Sequence, residues 1–154
     1  MTLGRRRVAL ICSGSARHLH DRMRSVPLQQ FAPLLSLPGH DFVLVQHTIR
    51  DADRAVRETF PRLRFPGAAL GDLADAAALL SHCDLVVTVD TAAAHIAGAL
   101  GLPTWLLLPY SADYRWLLER SDSPWYPTMK LYRQPRPGAW EAAIDAMRRD
   151  LTRL

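Results

Sequence analysis

Asp90, Thr91 and His95 bring a carboxylate, a hydroxyl and an imidazole together in the stretch Asp84 to Gly101, which reads DLVVTVDTAAAHIAGALG. Leu85 to Val89 is a β-branched apolar run with the length of a strand buried on both faces, and from Thr91 the pattern turns alanine-rich and helical. Thr91 at the N-cap places its hydroxyl to accept from the free amides of the first helical turn, and Ala92, Ala93 and Ala94 leave those amides open to a ligand. Such a helix start attracts an anion. His95 follows Thr91 by one turn, so both side chains can address one ligand. Behind them Ile96, Ala99 and Leu100 have core spacing, Gly98 allows close packing on the sheet, and Gly101 stands where a C′ residue is needed. A plain helix cap and a rim histidine would use the same residues, and the rest of the chain has to separate the two readings.

A second polar cluster lies near the start. Arg7 to Cys12 reads as a strand, and Ser13 to Ser25 is a long polar connection that carries Gly14, Ser15, His18, His20, Asp21 and Arg24. Connections of that length and polarity are more often functional than not.

The remaining elements position these two clusters. Leu28, Phe31, Leu34 and Leu35 have helical spacing, with Pro33 forcing a late start or a kink. Asp41 to Gln46 is a second strand, Asp51 to Phe60 a surface helix, and Leu63 to Phe65 a short third strand. Asp72 caps a helix with Leu73, Ala76, Leu79 and Leu80 inward. Thr104 to Leu108 and Met129 to Arg133 are strands, separated by a short helix from Ser111 to Leu118 and an aromatic loop, Ser123 to Pro127. The final helix turns Trp140, Ile144, Met147 and Leu151 inward.

Alternation of this kind predicts a single Rossmann-like α/β domain over residues 1–154, with about six mostly parallel strands and helices on both faces. If the strand order is 3-2-1-4-5-6, the connection after the first strand and the mouth of the fourth share one crevice at the point where the order reverses.

The chain of 154 residues has net charge +4, with 18 Arg against one Lys. The arginines are scattered and no nucleic-acid module is visible, so nucleic acid is not the expected partner. No apolar run approaches the ~20 residues that span a bilayer. Cys12 and Cys83 lie in or beside apolar runs without metal-ligand spacing, which suits buried thiols in a reducing, cytoplasmic setting. The first turn lacks G-x-G-x-x-G, and neither a P-loop nor G-x-S-x-G occurs, which argues against dinucleotide redox enzymes, P-loop ATPases and serine hydrolases. A pyrophosphate fits better: Thr91 and the helix amides can bind its oxygens while Arg24 supplies a bidentate contact.

These residues carry a resemblance. Asp90-Thr91-Ala92-Ala93-Ala94-His95 through Gly101 and Pro103 is similar to the heptosyltransferase segment D-[ST]-G-x-x-H-x-A-A-A-x-G-x-P. Gly14, His18, Asp21, Arg24 and Ser25 match G-x-x-x-H-x-N-D-x-x-R-S, with His20 in place of Asn. Tyr114 to Leu118 and Asp122 to Pro127 match W-x-W-L-L and D-S-P-W-Y-P. The chain resembles the carboxyl-terminal, nucleotide-sugar-binding half of GT-B glycosyltransferases, in the group of bacterial heptosyltransferases and of glycosyltransferase-like domains fused to tetratricopeptide repeats.

The resemblance implies a nucleoside-diphosphate-sugar donor as substrate, with no cofactor and no obligatory metal. Ser13, Gly14, Ser15, His18 and Arg24 would meet the donor diphosphate from the first loop, and Thr91, Ala92, Ala93 and His95 from the central helix. Asp90 would orient Thr91 or reach the sugar or ribose, and Gln46 would approach the base or ribose. Trp116, Trp125 and Tyr126 are expected as a packed plug. Ala92 replaces the heptosyltransferase glycine, which favours the repeat-fused group. The amino-terminal half that binds the acceptor and carries the catalytic carboxylate has no counterpart here, so no catalytic residue is assigned, and transfer would need an acceptor-domain protein or a homodimer. The alternative is a non-catalytic nucleotide-binding or protein-interaction module derived from such an enzyme.

Overall fold

Val8 and Leu10 project from one side of the first strand and Ala9 and Ile11 from the other, and all four are buried, so this strand needs helices on both faces. The computed structural model describes residues 4–154 and gives it that position; the first three residues of the expected domain lie outside the described range. The strands are β1 (Arg6–Ile11), β2 (His40–Leu44), β3 (Leu63–Arg64), β4 (Leu85–Val89), β5 (Thr104–Leu108) and β6 (Met129–Arg133). They form one sheet in the order β3-β2-β1-β4-β5-β6. Every neighbouring pair is parallel. β4 and β5, both interior to the sheet, are buried at every position, as expected of strands covered on both sides.

The connections hold α1 (Asp21–Arg24), α2 (Ala32–Leu35), α3 (Asp51–Glu58), α4 (Leu73–Ser81), α5 (Ala92–Ala99) and α6 (Trp140–Thr152). Pro33 falls in the first turn of α2, and the residues before it, Leu28–Phe31, form a 3-10 turn, so the proline starts the helix late. α2 and α6 cover one face of the sheet, where Trp140, Ile144, Met147 and Leu151 are buried with Phe31 and Leu34. Leu80 of α4 and Ala97 of α5 belong to the core on the other face.

Two expectations about side-chain direction and one about a helix are corrected. Leu73 is 64% exposed, because the inward face of α4 is set by Leu80 with the partly buried Ala76 and Leu79. In α5 the buried residues are Ala94, Ala97 and Gly98, while Ala99 and Leu100 are exposed and Ile96 is half-buried. Small residues let α5 lie close to the sheet, which rotates its contact face away from the larger apolar side chains. The helix expected up to Leu118 is a 3-10 turn over Tyr114–Trp116, ended by Leu117 at φ +56°.

Gly101 does end α5 as a C′ residue, at φ +68°. Its amide donates to Gly98 O and that of Leu102 to Ala97 O, each at 3.0 Å, which is the bonding of a Schellman motif. Cys12 and Cys83 are free, buried thiols, and burial, followed by the charge of Asp53, pushes Cys12 up to about 12. Among the described residues no helix is long and apolar enough to cross a membrane.

Candidate functional site

β1 and β4 lie side by side with Ile11 opposite Thr88, so the segments that follow them emerge at the same sheet edge. Arg24 ties them together: its Nη1 donates to the carbonyl of Asp90 at 2.9 Å. Gly14 makes room for this, since a Cβ there would come within 2.5 Å of Arg24 Nη2. The expected crevice is divided in two by Thr91 and Ala92, which line both parts. The first cleft, about 490 Å3, holds His18, His20, Arg24, Asp90, His95 and Arg115. The second, about 810 Å3, holds Ser13, Gly14, Ser15, Gln46, Arg50 and Ala93.

The start of α5 differs from the expected cap. Thr91 has extended N-cap geometry and its carbonyl accepts from Ala94 N at 3.0 Å, yet its hydroxyl caps nothing. Thr91 Oγ1 is buried without a partner, as is Arg24 Nε. Buried polar atoms are normally paired, so two orphans on adjoining residues of one cleft call for an explanation. At a helix start the amides of Ala92 and Ala93 have no partner within their own helix, and both residues line the second cleft.

Arg24 is kept in position by Asp21 and Ser25 of its own motif and by Arg50, which lies outside it. Asp21 is buried, accepts from Ser25 Oγ at 2.8 Å and pairs with Arg50, and its Oδ1 lies 3.7 Å from Arg24 Nε. Burial alone would raise the Asp21 carboxyl, but the Ser25 hydroxyl and the Arg50 and Arg24 guanidiniums hold it below the usual carboxylate range. Arg50 also reaches Ser25 Oγ at 3.3 Å. No local signal marks Arg50, a lone arginine ahead of a helix and distant in sequence from Asp21.

The roles expected of several residues shift. Gln46 Oε1 accepts from the amides of Cys12 at 2.7 Å and Ser13 at 3.1 Å, and its Nε2 donates to Thr48 O, so its side chain braces the loop after β1. Ser15 Oγ accepts from Arg17 N, and His18 Nδ1 accepts from His20 N, both within the same loop. Asp90 does not orient Thr91: its Oδ2 accepts from Trp116 Nε1 at 2.9 Å. Trp116 is fully buried and stacks on His95 with ring centres 5.5 Å apart, as the core of the plug. Trp125 is 62% exposed and anchored through Nε1 to Arg115 O. Gly98 admits Tyr126 and not the sheet, a Cβ there falling 2.5 Å from the Tyr126 ring.

His95 is held at both nitrogens. Nδ1 lies 2.9 Å from Tyr126 Oη and Nε2 lies 3.1 Å from Arg115 Nη1. A guanidinium only donates, so Nε2 accepts, and Nδ1 carries the proton and donates to Tyr126. Arg115 in turn forms a two-point pair with Asp113, which holds the Asp113 carboxyl below its ordinary range. Among the described residues no group of three or more His, Cys, Asp or Glu side chains is gathered as a metal site.

The family model of glycosyltransferase family 9 (heptosyltransferase) matches residues 34–117, more than half of the chain. The chain belongs to this family. Its fold is shared by the E. coli heptosyltransferase WaaC with ADP, at a TM-score of 0.68 and 17% identity over 98% of this chain and 45% of that one. The E. coli ADP-heptose lps heptosyltransferase II gives 0.62 and 15% identity over 99% of this chain and 49% of that one. Protein FlbA of Caulobacter vibrioides is 33% identical over 122 residues, 77% of this chain and 20% of FlbA. The chain thus spans a fifth of that curated relative and under half of each heptosyltransferase. As a family member it is a glycosyltransferase-like domain with the α/β architecture of one half of those enzymes.

Proposed function

We propose that this domain binds a nucleoside-diphosphate sugar, with the diphosphate at the start of α5 where the two clefts meet. The observation that carries this reading is the pair of unpartnered buried atoms, Thr91 Oγ1 and Arg24 Nε, beside the open amides of Ala92 and Ala93. Phosphate oxygens would satisfy a hydroxyl, a guanidinium and backbone amides together. The structures of WaaC with ADP and with ADP-2-deoxy-2-fluoro heptose support an adenosine-diphosphate donor as the first to try. Ser13, Gly14 and Ser15 would approach it from the second cleft and His18 from the first.

Glycosyl transfer then requires an acceptor-binding half from a partner, a second copy or a longer chain. The carboxylates on the first cleft support this, because Asp90 is engaged by the Trp116 indole and Asp113 by the Arg115 fork, which holds the Asp113 carboxyl low and makes it a poor proton acceptor for an acceptor hydroxyl. During transfer the cations and amides would stabilise the departing diphosphate. The same engagement favours, as a second reading, a module that binds nucleotide without turnover. A cytoplasmic setting suits the two buried free thiols.

Calorimetric titration with ADP, UDP, GDP and their sugar conjugates tests the reading. Micromolar binding selective for one base supports a donor site, and hydrolysis or transfer on adding an acceptor half separates enzyme from module. Absence of binding across the panel would overturn it.

A further inference from the structure

His95 was expected to touch the diphosphate, yet both of its ring nitrogens are already engaged by protein, Nδ1 by Tyr126 and Nε2 by Arg115. The cation beyond it is the more available group. Arg115 has 43% of its side chain exposed, against 17% for Arg24, and Arg24 is further engaged by the Asp90 carbonyl. Asp113 takes Nε and Nη2 of Arg115 and His95 takes one N–H of Nη1, so the guanidinium is fixed in orientation with N–H groups left over.

An imidazole acceptor is an uncommon partner for a guanidinium, which ordinarily seeks carboxylates. It adds no negative charge, so Arg115 is oriented on that side without being neutralised. Asp113 supplies one negative charge on the other side, and Lys in place of Arg could not make the same fork.

We propose that Arg115 is a further anion-contacting residue of the first cleft, which it lines together with Arg24, binding a phosphate oxygen of the donor, and that His95 is its positioning residue. The proposal rests on the nucleotide-sugar reading for the identity of the ligand, although the anion subsite itself does not require a nucleoside. Trp116 and Tyr126 take part by fixing the His95 ring, the first by stacking and the second by accepting from Nδ1. Tyr126 reaches that place because Gly98 leaves space for its ring.

Two histidine variants separate positioning from mere packing. In His95→Gln the amide oxygen takes roughly the place of Nε2 and can still accept from Arg115, whereas in His95→Asn the shorter amide reaches only the Nδ1 position, toward Tyr126. The full chain, Arg115→Met, His95→Gln and His95→Asn are titrated by calorimetry with ADP and with inorganic pyrophosphate, with thermal melts confirming that each is folded. Arg115→Met is expected to weaken both ligands about tenfold or more, the effect of one charge-assisted hydrogen bond. His95→Asn should weaken them similarly, and His95→Gln should stay within about threefold of the parent. ADP affinity unchanged in Arg115→Met would overturn the subsite and leave the nucleotide reading standing. Pyrophosphate bound without ADP would overturn the nucleotide reading and keep the subsite, while binding of neither would overturn both. Equal losses in the two folded histidine variants would overturn the positioning role.

Discussion

The carboxylate of Asp90 accepts from the indole Nε1 of Trp116 at 2.9 Å, and the Trp116 side chain is completely buried. This contact ties the mouth of β4 to the connection between β5 and β6, and so joins the two walls of the first cleft. An indole N–H enclosed in this way has no water to replace its partner. Asp90→Asn keeps an acceptor oxygen and is expected to cost less than about 1 kcal/mol, whereas Asp90→Leu strands the indole and is expected to cost about 1–3 kcal/mol. Urea midpoints of the two variants decide it. Equal costs would mean that the hydrogen bond adds nothing to stability.

Gly98 and Gly101 lie three residues apart but are required for different reasons. At Gly98 a Cβ would sit 2.5 Å from the Tyr126 ring, so Gly98→Ala must displace Tyr126. The expected loss is about 1–3 kcal/mol, enough to exceed the helix-propensity gain of about 1 kcal/mol from alanine. At Gly101 nothing lies within 4 Å of the Cβ position, and only the φ of +68° opposes a side chain. Gly101→Ala should therefore cost about 1–2 kcal/mol. Near-ultraviolet circular dichroism, which senses Tyr126 and Trp116, should change in the first variant and not in the second; identical spectra would contradict the displacement.

Asp21 gives the fold a dependence on acid. Its carboxyl is held below the ordinary range in the folded chain, so the stabilisation it provides is present above the unfolded value of about 3.9 and disappears as pH falls through the lower folded value. Asp21→Asn should be clearly less stable than the parent at pH 6, and the gap should narrow below about pH 4 as the parent's own carboxyl is protonated. Urea unfolding between pH 2.5 and pH 6 measures this. A gap of constant size across that range would show that the pairing with Arg50 and Ser25 contributes nothing through charge.

β4 and β5 were legible as predominantly apolar runs closed by Asp90 and by Pro109, β6 alternates buried Met129 and Leu131 with exposed Lys130, and all three occupy the positions read from the sequence. The strand order entered the sequence reading only as a condition, and the sheet adopts it. Helix faces were less legible: Leu73 and Leu100 satisfy helical spacing but are exposed, since a helix made of small residues can turn its Ala and Gly face to the sheet. At the site, local spacing brought together Thr91 and His95 on one helix, and Gly14 and Arg24 on one loop, while the contact of Arg24 with the Asp90 carbonyl follows from β1 lying beside β4. Local spacing could not reveal that Arg115 meets His95, that Asp90 meets Trp116, or that Arg50 meets Asp21, because those contacts depend on how distant connections fold back over the sheet.

Gln46 offers the sharpest test of that difference. Residue type and strand-end position placed it near the base, while the geometry turns its amide oxygen to the backbone of Cys12 and Ser13. A base-reading side chain and a loop brace fail in different ways. Gln46→Met removes the acceptor while keeping the volume, and leaves the two amides without it. If the side chain is a brace, ADP and UDP should both weaken by a similar factor, about three- to tenfold, and hydrogen exchange at Cys12 and Ser13 should quicken. If it reads the base, the ratio of the two affinities should change instead, with exchange at those amides little altered. The bond lengths of 2.7 Å and 3.1 Å to consecutive amides favour the first outcome, since an oxygen accepting from both is already saturated.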